Sequence, residues 1–179
     1  MFTIELAVKG DVPRILELSN LAAEQGAANF ATSPEPLEEW ELAWEETRRL
    51  HPWLVARSGA VIGFARSSPH RSRGAYAWSA EMAVYIDPEH RGHGVGTALY
   101  GALIPLLRAQ GYMTLLAGIT DGHTASERLH ARMGFVRCGT FHRIGYKLDR
   151  WLHVGYWEMH LQPPDHVPGR LRPVEEVWR

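Results

Sequence analysis

The chain is predicted to fold as one α/β (α+β) domain around a mixed sheet, and three observations lead there. Apolar patterning alternates between period two and helical spacing in the order β-α-α-β-β-β-α-β-α-β-β, about seven strands and about four helices. A strand, a glycine-rich turn and a helix follow one another without a break from Trp78 to Gln110. The 179 residues suit a single domain with a sizeable core, and 45% hydrophobic with 22% charged residues is an ordinary globular composition.

Phe2 to Val8 reads as the first strand. Gly10-Asp11 offers an N-cap and Pro13 falls in the first turn of a helix, where its missing N–H costs nothing. Val12, Ile15, Leu16, Leu18 and Leu21 carry that helix to about Gln25. A loop follows from Gly26 to Pro34, then a second helix from Leu37 to Leu50, whose Trp40 and Trp44 read as core. Trp53–Arg57 and Val61–Arg66 form a hairpin around Ser58-Gly59. Ser67 to Gly74 is polar, lacks apolar periodicity and reads as a loop.

The next strand alternates Trp78, Ala80, Met82, Val84 and Ile86 against Ser79, Glu81, Ala83 and Tyr85, and Asp87-Pro88 ends it. Pro105 removes the bond to Gly101, which would kink the following helix or end it early; Gly101 leaves room for the ring, so a kink is expected. Tyr112 to Ile119 reads as a buried strand and Ala125 to Met133 as a helix closed by Gly134. Phe135–Ile144 and Leu152–Leu161 are the last strands. One domain thus spans residues 1–161. Pro163, Pro164, Pro168 and Pro173 make residues 162–179 an irregular tail, expected to be mobile or to lie on a partner subunit.

Composition excludes several classes of partner. The net charge of −1 gives no basic excess for nucleic acid and no Lys/Arg run for a membrane surface. No apolar run is long enough to cross a bilayer. The single cysteine, Cys138, cannot form an internal disulfide, and the Met1–Glu5 start has no charged or apolar leader, so a cytoplasmic location is expected. No metal site is expected.

Chemistry concentrates at Arg91-Gly92-His93-Gly94-Val95-Gly96-Thr97. Its three glycines let backbone N–H groups approach a ligand, and free N–H groups at a helix start suit a phosphate. The loop is not a Walker motif, since no Lys-Ser/Thr follows, and it is not G-x-G-x-x-G, since the last position is Thr97. An Arg-x-x-Gly-x-Gly loop after a strand ending in Asp-Pro resembles the acetyl-coenzyme A pyrophosphate loop of the GNAT superfamily of N-acetyltransferases.

Further stretches narrow the resemblance to the phosphinothricin and methionine sulfoximine N-acetyltransferases. They are Asn29-Phe30-Ala31-Thr32 with Pro36 to Trp40, Arg73-x-x-Tyr76-x-Trp78-x-x-Glu81, Ala125-Ser126 with Leu129-His130 and Met133-Gly134-Phe135, and Gly145-Tyr146-Lys147 with Trp151, Val154 and Trp157. The resemblance covers residues 1–161. It implies a GNAT-type, mostly antiparallel sheet, acetyl-coenzyme A as cosubstrate, a small-molecule amine as acceptor and a homodimer. Two positions depart from the family pattern: Ala31 stands where the Asn-Phe-Arg-Thr motif has arginine, and His123 where an asparagine is usual.

The reaction needs a base, because an amine with pKa of roughly 8 or above is mostly ammonium at neutral pH. Glu81 is the candidate; the other reading is a structural carboxylate paired with an arginine such as Arg73. His130 stands where many family members have a tyrosine, so the resemblance makes it a general acid toward the leaving thiolate or a second participant in deprotonation; a capping or packing histidine is the other reading. The oxyanion is expected at a backbone N–H where the Trp78–Ile86 strand bulges.

Val84, Tyr85 and Ile86 would pair with the pantetheine amides, Arg91, Gly92, His93, Gly94, Val95, Gly96 and Thr97 would take the pyrophosphate, and His123 would reach the pantetheine or acetyl end. Arg71 and Arg73 could neutralise an anionic group on the substrate or lie solvated, with Asn29, Phe30 and Tyr76 shaping its pocket. Arg108, Arg128 and Arg132 could meet the 3′-phosphate or lie solvated. A protein N-terminus or polyamine as acceptor, and a non-catalytic acyl-coenzyme A sensor, are the alternatives; two arginines beside the strand, and the retention of Glu81 and His130, weigh against them.

Overall fold

A computed structural model describes residues 1–178. In chain order the elements are β1 (Thr3–Leu6), α1 (Val12–Glu24), α2 (Leu37–Thr47), β2 (Trp53–Ser58), β3 (Ala60–Pro69), β4 (Ser79–Ile86), α3 (Val95–Gln110), β5 (Thr114–Thr120), α4 (Thr124–Arg132), β6 (Val136–Lys147), β7 (Arg150–His160) and α5 (Val174–Val177). The strands form one seven-stranded sheet in the order β1-β2-β3-β4-β5-β7-β6. Its neighbours pair antiparallel except β4 and β5, which are parallel.

Helices cover both sheet faces, so the central strands bury alternate side chains on opposite sides. Leu54, Ala65, Ala80 and Met82 face α3, whose Val95, Leu99, Leu103 and Leu107 recur at helical spacing. Trp53, Val55 and Phe64 face α1 and α2 and meet Ile15, Leu18, Trp40 and Trp44. The two helix tryptophans are core, as their spacing predicts.

Several local expectations change. Asp11 does not cap α1 with its side chain: its carboxylate accepts from the Val8 N–H at 3.0 Å and from Arg57 at 2.8 Å. α3 continues through Pro105 to Gln110, so the proline does not end the helix. Pro105 and Gly101 lie on its exposed side, where water can take the carbonyl that proline leaves free. β3 extends to Pro69, through the start of the segment read as loop, because Ser67, Ser68 and Pro69 pair with Met82, Glu81 and Ala80.

The tail packs on its own chain. Val174 is buried against the α3 core, its N–H donates to the Arg49 carbonyl at 2.7 Å, and the Gly169 carbonyl accepts from the Trp78 indole at 2.7 Å. The short α5 in this tail is a helix that the apolar pattern does not announce. No described helix is long and apolar enough to cross a membrane.

Candidate active site

The sheet opens at its middle. β4 and β5 pair through Ser79↔Thr114, Ala80↔Leu115 and Glu81↔Leu116 and then part. Beyond that vertex, Met82–Ile86 is bonded to β3 alone and Ala117–Thr120 to β7 alone. A cleft of about 450 Å³ lies between them. N–H and C=O groups along β4 alternate in direction, so part of that strand edge faces the cleft unpaired. The β3–β4 register runs without a shift, so the bulge expected in this strand is absent; the parting from β5 frees backbone N–H groups instead.

The glycine-rich loop closes one end of the cleft. Gly92 and Gly94 have φ of +80° and +81°, and Gly94 is the N-cap of α3. A β-carbon at either would meet nothing within 4 Å, so backbone conformation, not space, selects glycine there. The first helical bond runs from the Ala98 N–H to the Gly94 carbonyl. The N–H groups of Val95, Gly96 and Thr97 therefore have no helical partner, the arrangement that leaves a helix start free to hold an anion. Of the predicted loop residues, Arg91, Gly92 and Gly96 line the cleft, as do Val84, Tyr85 and Ile86. His93, Gly94, Val95 and Thr97 do not; Val95 is core. Arg91 donates to the Ile86 carbonyl at 3.2 Å, which ties the loop to the strand end.

His123 lines the cleft and caps α4: its Nδ1 accepts the Ser126 N–H at 3.3 Å. In the neutral ring the proton then sits on Nε2, which leaves one donor for a ligand.

Glu81 stands at the vertex where β4 and β5 part, on the α1–α2 face, opposite in direction to Met82. Its Oε1 lies 2.7 Å from His70 Nδ1, so its partner is His70 rather than Arg73. The carboxylate side chain is 42% exposed and reaches solvent as well. Arg71 Nε points at His70 Nε2 from 3.4 Å, and the Tyr76 ring packs edge-on to His70 at 5.5 Å. Arg71, Arg73 and Tyr76 line a second depression of about 370 Å³ on the same segment.

His130 is buried on the cleft wall. Its Nδ1 lies 2.8 Å from the Ser126 carbonyl and its Nε2 3.1 Å from the Tyr100 hydroxyl. Burial holds its pKa below the ordinary imidazole value, against the Ser126 hydrogen bond. In the neutral ring Nδ1–H donates to Ser126 and Nε2 accepts from Tyr100, so neither nitrogen has a proton free for the cleft. Burial also raises the Tyr100 hydroxyl pKa far above its usual range.

Asn29 and Phe30 do not line the cleft. Asn29 Nδ2 donates to Ser19 Oγ at 3.0 Å and its Oδ1 accepts the Ala31 N–H at 2.8 Å, which folds the loop onto α1. Phe30 occupies the space above Gly145, where any side chain would overlap its ring. The preceding Gly26–Ala28 forms the roof instead. Thr120 holds it through the Ala27 carbonyl at 2.6 Å, and Lys147 holds its base through the Ala23 and Asn29 carbonyls at 2.6 and 2.8 Å. Arg108 is spent on the Leu161 carbonyl.

Sequence reasoning overlooked His70, Tyr100 and this roof. The i,i+4 relation of Gly96 and Tyr100 was a usable signal, since it puts the tyrosine on the face of α3 that Gly96 presents to the cleft. Among the described residues, no group of three or more His, Cys, Asp or Glu side chains could hold a metal ion.

Comparison with known proteins shows the family. Residues 15–135 match the Acetyltransferase (GNAT) family. The phosphinothricin N-acetyltransferase of Streptomyces viridochromogenes is 34% identical over 175 residues, covering 97% of this chain and 95% of that protein. The L-methionine sulfoximine/L-methionine sulfone acetyltransferase of Pseudomonas aeruginosa is 35% identical over 162 residues, 88% of this chain and 94% of the other. The crystal structure of a GNAT superfamily phosphinothricin acetyltransferase from Sinorhizobium meliloti, in complex with AcCoA, superposes with a TM-score of 0.89 at 31% identity, over 99% of this chain and 95% of that one. A family match over residues 15–135, and similarity that runs almost end to end, mean that this chain belongs to the GNAT family of acetyltransferases.

Proposed function

We propose that the protein transfers the acetyl group of acetyl-coenzyme A to the amine of a small anionic amino acid analogue. Methionine sulfoximine, methionine sulfone and phosphinothricin are the candidates that its relatives' names supply. The observation that carries the reading is the parted β4–β5 edge, with a phosphate-type N–H site at one end and Glu81 at the vertex. The pantetheine amides would add to Met82–Ile86 as a strand, and the pyrophosphate would take the N–H groups of Gly92 to Thr97.

The net reaction converts R–NH3⁺ and the thioester into amide, CoA–SH and H⁺. Two protons leave the nitrogen, one destined for the thiolate and one for solvent. Glu81 takes the first to leave, from the ammonium, as general base, directly or through water, and releases it to solvent. The free amine then attacks the thioester carbonyl, a backbone N–H freed where β4 leaves β5 holds the oxyanion, and as the C–S bond breaks the second nitrogen proton passes to the departing thiolate, directly or through water. Arg71 or Arg73 neutralises the anionic group of the substrate. Ala31 removes a guanidinium from the α1–α2 loop, which favours the sulfoximine and sulfone over the phosphinate. A homodimer would cover the edge strand β6, where Val136, Phe141, Ile144 and Tyr146 are exposed.

A thiol-release assay tests the reading on methionine sulfoximine, methionine sulfone, phosphinothricin, ordinary amino acids and spermidine. Turnover is expected on the first three, weakest on phosphinothricin. Turnover on spermidine alone, or on none while coenzyme A still binds, overturns it. The loop has its own signature. Gly94→Ala places a β-carbon at φ +81°, a conformation costing about 1–2 kcal/mol. The acetyl-coenzyme A KM should rise by about tenfold with kcat nearly unchanged; an unchanged KM would show that the loop conformation does not matter to the coenzyme.

A further inference from the structure

We propose that His70 is a positioning residue for Glu81: it holds Oε1 and leaves Oε2 as the atom that takes the proton. The inference rests on the reading of Glu81 as general base.

The register explains how His70 arrives. Ser68 pairs with Glu81 and Pro69 with Ala80, so residue 70 lies just past the end of β3 and turns back over β4. Its Nδ1 then sits 2.7 Å from Glu81 Oε1, a short distance typical of a hydrogen bond to an ionised group. Among the described residues, Glu81 Oε2 has no hydrogen-bond partner.

Arg71 decides the tautomer. An arginine Nε–H only donates, so His70 Nε2, 3.4 Å away, accepts. The imidazole proton is then on Nδ1 and donates to Glu81. Tyr76 packs edge-on to the imidazole at 5.5 Å and the Arg71 guanidinium lies 5.8 Å from the Tyr76 ring centroid, so the ring cannot turn freely. The charged and titratable groups facing His70 are therefore Glu81 from β4, Arg71 from its own segment and Tyr76 from the following turn.

A carboxylate that must meet a small substrate gains from a fixed rotamer, since misplacement costs rate and not coenzyme affinity. His70 supplies that constraint at the outer end of Glu81, away from the coenzyme cleft: it does not line the cleft between β4 and β5.

The test is a double-mutant cycle of His70→Phe with Glu81→Gln, read by thiol release on the best substrate of the panel. His70→Phe keeps a ring of similar size and removes the donor. Its kcat is expected to fall about 10- to 100-fold, the weight of a hydrogen bond to a charged group, with the acetyl-coenzyme A KM within about twofold. His70→Gln, which restores an N–H donor, should recover most of that loss. In the Glu81→Gln background, His70→Phe should produce no further loss. Wild-type kcat in His70→Phe overturns the proposal, as do equal losses in both backgrounds. If His70→Phe does not fold, a His70→Gln enzyme with kcat as low as that of His70→Leu overturns it. Should Glu81→Gln itself retain wild-type kcat, the base reading fails first; an inactive Glu81→Gln beside a fully active His70→Phe removes only the role of His70.

Discussion

Glu81→Gln is expected to lower kcat at neutral pH by about 10²- to 10⁴-fold while leaving the acetyl-coenzyme A KM within a few-fold of wild type. Glutamine has nearly the same shape as glutamate, and its carbonyl can still accept from His70 Nδ1, so the geometry at the β4–β5 vertex survives. Only the basicity goes. The coenzyme cleft is lined by the next residues of the strand, Met82–Ile86, and these are untouched. The defect has a pH signature as well. Without a protein base, the reacting fraction is the free amine already in solution, which rises tenfold per pH unit up to the substrate's own pKa, roughly 8 or above. The variant's rate should therefore climb with that slope where the wild-type rate has flattened. A kcat within threefold of wild type at pH 7 would show that Glu81 is not the base.

Much of this arrangement was legible in the sequence, for reasons that are local. Gly92 and Gly94 announce themselves because a backbone at φ near +80° tolerates little else. The apolar alternation around Met82 and Val84 gives the sheet face, and hence the opposite direction of Glu81. Tertiary partnerships were not legible. His70 reaches Glu81 only because β3 continues through Ser67–Pro69, and polar residues there look like a loop until the pairing with β4 is seen. Tyr100 lies on the apolar face of α3, where a tyrosine reads as packing; its hydroxyl partner is 30 residues away. Asn29 belongs to a stretch that resembles a substrate loop, yet its amide is consumed by Ser19. The tail has the prolines of an irregular segment, and its anchors, Gln110, Trp78 and Arg49, are remote in sequence.

Acid should destabilise the fold through a histidine unconnected with catalysis. His51 follows α2 and is half-buried; its ring lies 5.6 Å from that of Tyr112, and Tyr112 and Ser67 hydroxyls are its side-chain hydrogen-bond partners. Neither carries a charge that could balance an imidazolium, and burial pushes the His51 pKa down to about 4 from 6.5. The sign follows from proton binding: between pH 6.5 and 4 the unfolded chain holds a proton on this residue that the folded chain does not, so stability falls as the pH falls through that window. A depression of about 2.5 units at about 1.4 kcal/mol each amounts to about 3 kcal/mol by pH 4, a large share of the 5–15 kcal/mol typical of a domain. His130, whose pKa burial also lowers, acts in the same direction. Urea unfolding at several pH values from 7 to 4 isolates the His51 share. His51→Gln, which cannot charge, should lose about 3 kcal/mol less than wild type over that range, whatever its stability at pH 7. Parallel curves for the two proteins would mean that His51 is protonated equally in the folded and unfolded states, and that the acid limb belongs to other groups.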